Sequence, residues 1–360
     1  MSTDIQKVVI SGFGEVSNVS VVQSTILPPG KGEVQVRIFY SGFSGADINM
    51  RNGTYPFQRK APLTPGYCFT GRVVANGQGS SSFKEGEIVA GVTTYDCEAE
   101  MANFKENLIV RVPPELLKSS EASPSSLDET LQQITALSLD WTTAYGLVEH
   151  AAHVKEGQRV FIHGLSGAVG QALTKLCLLK GAIVYGTASA RNHAALAEQG
   201  VTRAFDYSNK DWIKVMSSKE IGGAQAIFDA LGFESWDESW SILASDGILV
   251  GFGGNMNTLG GDKDSKAKTR AQWPTIITLL ARGTNPLSKK RTSFYYIKPG
   301  TSEITADIKA LMTMFGEGKV RVPIKAVWDL NTEAVREAHN SWGKMAGMGS
   351  LLIRVSKPDN

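Results

Sequence analysis

The segment from Arg159 to Ala188 constrains the fold more than any other. It opens with "RVFIHG", a short apolar run of strand character, and continues through "LSGAVGQALTKLCLLKG" into "AIVYGTA". Val169, Leu173, Leu176 and Cys177 recur at helical spacing and form one face. Gly181 suits the residue just past a helix end, and the second apolar run then reads as a strand. Strand, helix and strand at these lengths make a βαβ unit, whose two strands are parallel because the helix carries the chain back across the sheet. Gly164, Gly167 and Gly170 fill the first turn in a G-x-x-G-x-x-G spacing. Glycines there allow a tight turn, let backbone N–H groups approach a pyrophosphate, and let the helix lie close on the sheet. The residues alone also allow a tight βα turn with no ligand.

The alternation continues. "HAALAEQ" closed by Gly200 reads as a helix, "RAFDY" and "AQAIFDAL" as strands, a helix follows with Trp236, Trp240 and Leu243 on one face, and "GILVGFGG" as a further strand. This is a doubly wound α/β half. Before it, Ile5 to Val112 reads as an all-β region: "KVVISG", "EVQVRIFYSG", "TGRVVANG" and "EIVAGV" are strands broken by Gly and Pro turns. "LLKSSEASPSS" from Leu116 to Ser126 is expected to be an exposed boundary or insertion, and the glycine-rich, charged stretch from Gly253 to Gln272 a mobile loop. "TSFYYI" reads as a strand before the helix "ITADIKALMTMFGEG", and "GSLLIRV" as a strand able to rejoin the first domain. At 360 residues, two domains are expected, one of them discontinuous.

Lys and Arg exceed Asp and Glu by two and are spread along the chain, so no nucleic-acid footprint stands out. No apolar run approaches the ~20 residues needed to span a bilayer, and the start "MSTDIQKVVISGFG" lacks a signal-peptide layout, so an intracellular, cytoplasmic protein without membrane insertion is expected. Cys68, Cys97 and Cys177 form no C-x-x-C pair, which fits reduced thiols and excludes a four-cysteine zinc lobe.

A dinucleotide fold of this kind places an acid at the end of its second strand to hold the adenosine ribose. Here "YGTASARNHA" contains none and offers Ser189, Arg191 and Asn192. A carboxylate would repel a 2′-phosphate, whereas arginine with hydroxyl and amide donors can bind one, which points to NADP(H). The alternative reading makes Ser189 a helix cap and Arg191 a solvated side chain.

The chain resembles the medium-chain dehydrogenase/reductase superfamily, in its zinc-free quinone oxidoreductase branch and the VAT-1-like relatives. The segments "GADINMRNGTYP", "PLTPGYCFTGRVV", "LDWTTAYGLVEHA", "HGLSGAVGQAL", "YGTASARNHAALAEQG", "FDYSNKDW" and "EAHNSWGKMAGMGSLLIRV" carry the match. The resemblance implies a GroES-like β domain from residues 1–136 and 300–360, a Rossmann domain from 137–299, and a nicotinamide in a cleft between them. It places Gly164, Ser166, Gly167, Ala168, Val169 and Gly170 at the pyrophosphate. It also places Ser189, Arg191, Asn192 and Tyr207 at the 2′-phosphate, with Thr143, Gly251, Phe252 and Gly253 near the nicotinamide. Tyr207 is equally readable as a strand-end aromatic.

Zinc-dependent relatives carry a cysteine in the loop matching "SGFSGAD" and a His-Glu pair after Pro-Gly. Here "PGYCF" follows and no histidine lies in either segment, so no metal site is expected. Reduction of a quinone or an activated C=C then fits, since the substrate's own conjugation accepts the hydride. Tyr55 is either the donor to a developing enolate or a turn aromatic. Ser44 and Asn49 stand where relatives often have Asn and Tyr, marking an altered substrate pocket. Asp47 either fixes the loop or acts on substrate, and His163 reads as a buried strand-end residue. The expected protein is an NADPH-dependent, zinc-independent reductase of quinones, enones or enals, and a homodimer by resemblance. The alternatives are a biosynthetic enoyl reductase for a larger natural product and a non-catalytic nucleotide-binding interaction protein.

Overall fold

The computed structural model describes residues 2–118, 126–259 and 273–358. It divides into two compact units, one of residues 1–142, 298–345 and 350–360, the other of 143–297 and 346–349.

The first unit starts with an antiparallel hairpin, β1 (Thr3–Ile10) and β2 (Val19–Ile26). β3 (Glu33–Phe43), α1 (Gly45–Asn52), β4 (Cys68–Asn76), β5 (Ile88–Val92), β6 (Met101–Lys105), β7 (Ile109–Arg111) and α2 (Leu127–Ala136) follow. Helix α1 departs from the all-β expectation. "GADINMRN" has little apolar periodicity, and its ends decide the matter instead. Ser44 and Asp47 form a capping box at the start, and Gly53, at φ 75°, closes the end.

The second unit begins inside a helical run. A π-helical stretch, Leu137–Trp141, is followed by α3 (Thr142–Tyr145) and a second π-helical stretch, Gly146–Ala151. Then come β8 (Arg159–His163), α4 (Ala168–Leu179), β9 (Ile183–Ala188), α5 (His193–Glu198), β10 (Arg203–Asp206) and α6 (Asp211–Met216). β11 (Ala224–Asp229), α7 (Glu234–Ser241), β12 (Leu243–Gly251), α8 (Met256–Leu259), α9 (Trp273–Arg282) and β13 (Arg291–Phe294) complete it. Every pairing in this sheet is parallel, and the order is β10-β9-β8-β11-β12-β13. That is the doubly wound Rossmann order, with its switch point between β8 and β11. Leu243, expected on the helix of Trp236 and Trp240, instead opens β12, because α7 stops at Ser241. Of the expected loop from Gly253 to Gln272, Met256–Leu259 is helical, and 260–272 lie outside the described residues, as do 119–125 of the serine-rich stretch.

The chain then returns to the first unit through α10 (Ser302–Gly316), β14 (Ile324–Asp329), α11 (Thr332–Ser341) and β15 (Ser350–Arg354). β15 lies between β14 and β3 in a seven-stranded sheet, antiparallel to β3 with Leu352 opposite Gly42. Val36, Ile38, Phe69, Val89 and Ile353 from its strands pack one buried cluster. In the second unit Phe161, Trp212, Ile227, Trp236 and Leu249 pack another. The fold is thus a GroES-like β domain together with a Rossmann parallel-sheet domain, as expected.

Candidate functional site

In the second unit, the turn after β8 is built for close approach of an anion. Gly164 adopts φ 77°, and the Gly167 N–H donates to the Gly164 carbonyl at 3.0 Å, closing the turn. A Cβ on Gly170 would lie 2.0 Å from the Gly164 oxygen, so only glycine lets α4 start here. Gln171 in α4 donates from Nε2 to the Leu165 carbonyl at 2.9 Å and pins the turn from within. No side chain caps α4, whose N-cap is Gly167, so the N-terminal N–H groups from Ala168 onward present the positive end of a twelve-residue helix. Val169 and Ser166 are half-buried beside this turn, and the Ser166 carbonyl accepts from the Gly349 N–H at 3.2 Å. The cradle fits a pyrophosphate: it is shaped by backbone, lined by N–H groups and free of acidic side chains in the first turn.

At the end of β9, Ser189 leads a short 3-10 turn, Ala190–Asn192. Arg191 is exposed, while Asn192 is buried, so the two are not equally open to a ligand. Tyr207 is 63% exposed and directly follows β10. The register sets Ala188 beside Asp206, which brings Ser189 and Tyr207 to neighbouring strand ends. Sequence reasoning missed two residues here. Asp206 places a carboxylate on the strand next to the one where an acid was sought, and the Ser208 hydroxyl and N–H hold it below the usual range. The His193 Nε2 lies 3.2 Å from the Ala188 carbonyl oxygen. "FDY" contained the acid, but only strand pairing reveals that it lies level with Ala188.

Across the switch point, Gly251 ends β12 under Trp236 and Leu279, either of which a Cβ would meet at 2.7 Å. Phe252 is buried, and Gly253 takes φ 75°. The Tyr295 N–H donates to the Gly251 carbonyl at 2.9 Å, and its phenol lies over Gly146, where a Cβ would be 2.0 Å from the hydroxyl. Thr143 is half-buried on α3, between the two π-helical stretches. Such stretches are rare and concentrate at functional positions.

In the first unit, the Ser44 hydroxyl accepts from the Ala46 N–H at 3.2 Å, and the Ser44 N–H donates to Asp47 Oδ2 at 2.7 Å. Asn49 is buried, and its Oδ1 accepts from the Thr54 hydroxyl at 3.0 Å. These groups are engaged in holding α1 and its exit turn, and Asp47 fixes the loop. Tyr55, two residues past Gly53, is half-buried and packs edge-on against Tyr67 at 5.7 Å. Cys68 is buried, donates to the Thr135 carbonyl at 3.3 Å, and has its thiol pushed well above the ordinary range by burial and by Asp140. A serine spent on the α1 cap and a buried, protonated thiol bonded to a backbone carbonyl do not fit a catalytic zinc. Among the described residues no group of three or more His, Cys, Asp or Glu is arranged to hold a metal ion.

Two family models match this architecture. The alcohol dehydrogenase GroES-like domain matches residues 30–112, and the zinc-binding dehydrogenase domain matches residues 168–278, together more than half of the chain. The human synaptic vesicle membrane protein VAT-1 homolog is 25% identical over 350 residues, covering 96% of this chain and 85% of that protein. Among solved structures, Escherichia coli quinone oxidoreductase complexed with NADPH aligns at TM-score 0.78 and 19% identity, over 97% of this chain and 99% of that one. The JamJ enoyl reductase aligns at TM-score 0.78 and 20% identity, over 98% and 99%. The chain therefore belongs to the medium-chain dehydrogenase/reductase superfamily, and is similar there to VAT-1 homologues.

Proposed function

We propose that this protein is an NADPH-dependent, metal-independent reductase of quinones or of the C=C bond of α,β-unsaturated carbonyls. The observation that carries the reading is the glycine cradle before α4 together with a second-strand end that offers Arg191 and no acid of its own. NADPH, when bound, supplies the hydride. Gly167, Ala168, Val169 and Gly170 hold the pyrophosphate through backbone N–H groups, and Gly164 and Ser166 shape the approach. Ser189, Arg191 and Tyr207 face the 2′-phosphate, Asn192 supports the turn from its buried position, and Asp206 is turned to the Ser208 hydroxyl and N–H. Thr143, Gly251, Phe252 and Gly253 serve the nicotinamide half.

Tyr55 is the proposed hydrogen-bond donor to a developing enolate or quinol oxygen, held by its edge contact with Tyr67. Ser44 and Asn49 act through the shape of the α1 loop, since the Ser44 hydroxyl and the Asn49 Oδ1 are spent on it. The substrate is a small conjugated carbonyl or quinone, and the working state is a cytoplasmic homodimer. The likeness to an enoyl reductase structure supports a second substrate reading, a larger acyl chain carrying the same activated double bond.

The test follows loss of the reduced-nicotinamide absorbance against a panel of quinones, enones and enals, with NADH alongside NADPH and mass analysis of products. Turnover with gain of two hydrogens is expected, and NADPH preferred. Arg191→Ala is expected to raise the dissociation constant for NADPH by about tenfold or more, the worth of one charge-assisted contact, and that for NADH little. Equal effects on the two cofactors would overturn the assignment of the phosphate site.

A further inference from the structure

Asp229 closes β11, next to β8 at the switch point, and is completely buried. Its Oδ1 accepts from the Leu231 N–H at 2.8 Å and the Gly232 N–H at 3.4 Å. Its Oδ2 accepts from the hydroxyls of Ser235 and Ser239, each at 2.7 Å. The Ser239 oxygen in turn lies 2.9 Å from Nε2 of His163, the residue just before Gly164. Because the Ser239 proton points to Asp229, that oxygen accepts from the His163 Nε2–H. The main-chain carbonyl of Asp229 accepts from the Phe252 N–H at 3.0 Å and from Trp236 Nε1 at 3.3 Å. One residue therefore ties together the end of β8, the turn into α7 and the glycine-rich end of β12.

Two further observations separate this cluster from an ordinary buried network. Phe233, between Gly232 and Ser235, is a buried non-glycine residue at φ 55° and ψ −129°, a costly conformation that persists only where its neighbours over-determine it. Asp229 grips the chain on both sides of it. The His163 ring is boxed by Trp212 at 5.2 Å and Phe161 at 5.1 Å, so it transmits a fixed position to the glycine turn. Although Ser, His and Asp are all present, Ser239 is fully buried and donates to the acid directly. That order excludes a nucleophilic serine activated by histidine.

We propose that Asp229, acting through Ser239 and His163, is the positioning residue of the dinucleotide site: it fixes the glycine turn and the Gly251–Gly253 segment in register with each other. This rests on the reading of the second unit as an NADPH site. Asp229 touches no reacting atom. Its effect falls on how tightly the cofactor is held, because the two segments it joins are the ones assigned to the pyrophosphate and nicotinamide ends.

The experiment uses the full chain and titrates NADPH by energy transfer from tryptophan, beside steady-state kinetics and thermal unfolding. Asp229→Asn keeps the shape and one acceptor but reverses the polarity facing the two serines. Ser239→Ala removes the bridge between His163 and Asp229, leaving the two 3.6 Å apart, and leaves Asp229 its bonds to Ser235, Leu231 and Gly232. Both are expected to raise the NADPH dissociation constant and KM by about tenfold to a hundredfold, while kcat at saturating NADPH stays within about threefold and the KM for the second substrate is unchanged. If Asp229→Asn fails to fold, Ser239→Ala is read by the same criteria. Unchanged NADPH affinity in a folded variant, or kcat falling in step with stability while KM holds, overturns the inference. A wild-type chain that binds no nicotinamide dinucleotide overturns the cofactor reading and this inference with it. Normal wild-type binding with normal variant binding overturns this inference alone.

Discussion

Asp47, in the first turn of α1, forms a buried acid pair with Glu98 that makes stability depend on pH. Asp47 and Glu98 are both completely buried, and neither Glu98 oxygen nor Asp47 Oδ1 has a hydrogen-bond partner among the described residues. Burial raises the Asp47 carboxyl from 3.8 to about 7 against the opposing N–H of Ser44, and burial with Asp47 nearby pushes Glu98 well up. For an acid whose folded pKa exceeds its unfolded one, the unfolded chain releases its proton first. Stability is therefore lost as pH rises from about 4 to about 7, and levels off above. The rise at Asp47 corresponds to about 4 kcal/mol between those limits. Asp47→Asn removes the titration and keeps an acceptor for the Ser44 N–H. Urea unfolding from pH 4.5 to 8.5 is then expected to show the variant gaining on wild type by a few kcal/mol across the range, whatever constant offset the amide introduces. Glu98 shifts with its neighbour, so the difference between the two chains reports the coupled pair, while titrating groups away from it cancel. Stability curves that run parallel within about 1 kcal/mol would show that the carboxyl is not desolvated as described, and the reasoning would fail.

Two other outcomes follow from contact distances and burial. Gly170→Ala forces a methyl to 2.0 Å from the Gly164 carbonyl oxygen, so the turn must open; NADPH affinity is expected to fall by at least about tenfold, as calorimetry would show, with unfolding destabilised by about 1–3 kcal/mol. The three free thiols are all buried and all shifted above their ordinary value, so iodoacetamide at neutral pH is expected to label none of Cys68, Cys97 and Cys177 in the native chain and all three in urea.

The parallel sheet was readable because its signals are local. β8, β9 and the second half of β12 are apolar runs, the first and last ending at glycine, and βαβ handedness leaves little freedom in how such runs assemble. Helix α1 escaped because its apolar residues carry no period; Ser44, Asp47 and Gly53 held the signal, three residues whose meaning lies in the hydrogen bonds they make at the ends. Leu243 was misassigned for the opposite reason, since its spacing from Trp236 and Trp240 continues a helical face past the point where the chain had left the helix. At the candidate site, the glycine cradle follows from excluded volume and was legible. Asp206 was not, because its place beside Ala188 is set by pairing between strands, and sequence distance does not encode register. Ser44 and Asn49 were recognisable as departures from relatives, but whether their polar groups face a ligand or each other's loop depends on φ and ψ that no motif specifies.

The placement of β15 between β3 and β14 bears on how the polypeptide reaches this state. Residues 143–297 form nearly all of one unit without interruption, so during synthesis they can collapse as soon as they leave the ribosome. The other unit must wait: Gly42 meets its partner Leu352 only after the intervening chain has been made, and until then the Tyr40–Phe43 end of β3, beyond the stretch that β6 covers, stands open. Loop-closure entropy makes that late pairing slow, and an open apolar edge recruits other strands. Nascent chains of this protein are accordingly most vulnerable to aggregation through the Tyr40–Phe43 end of β3, before the final strand arrives to seal it.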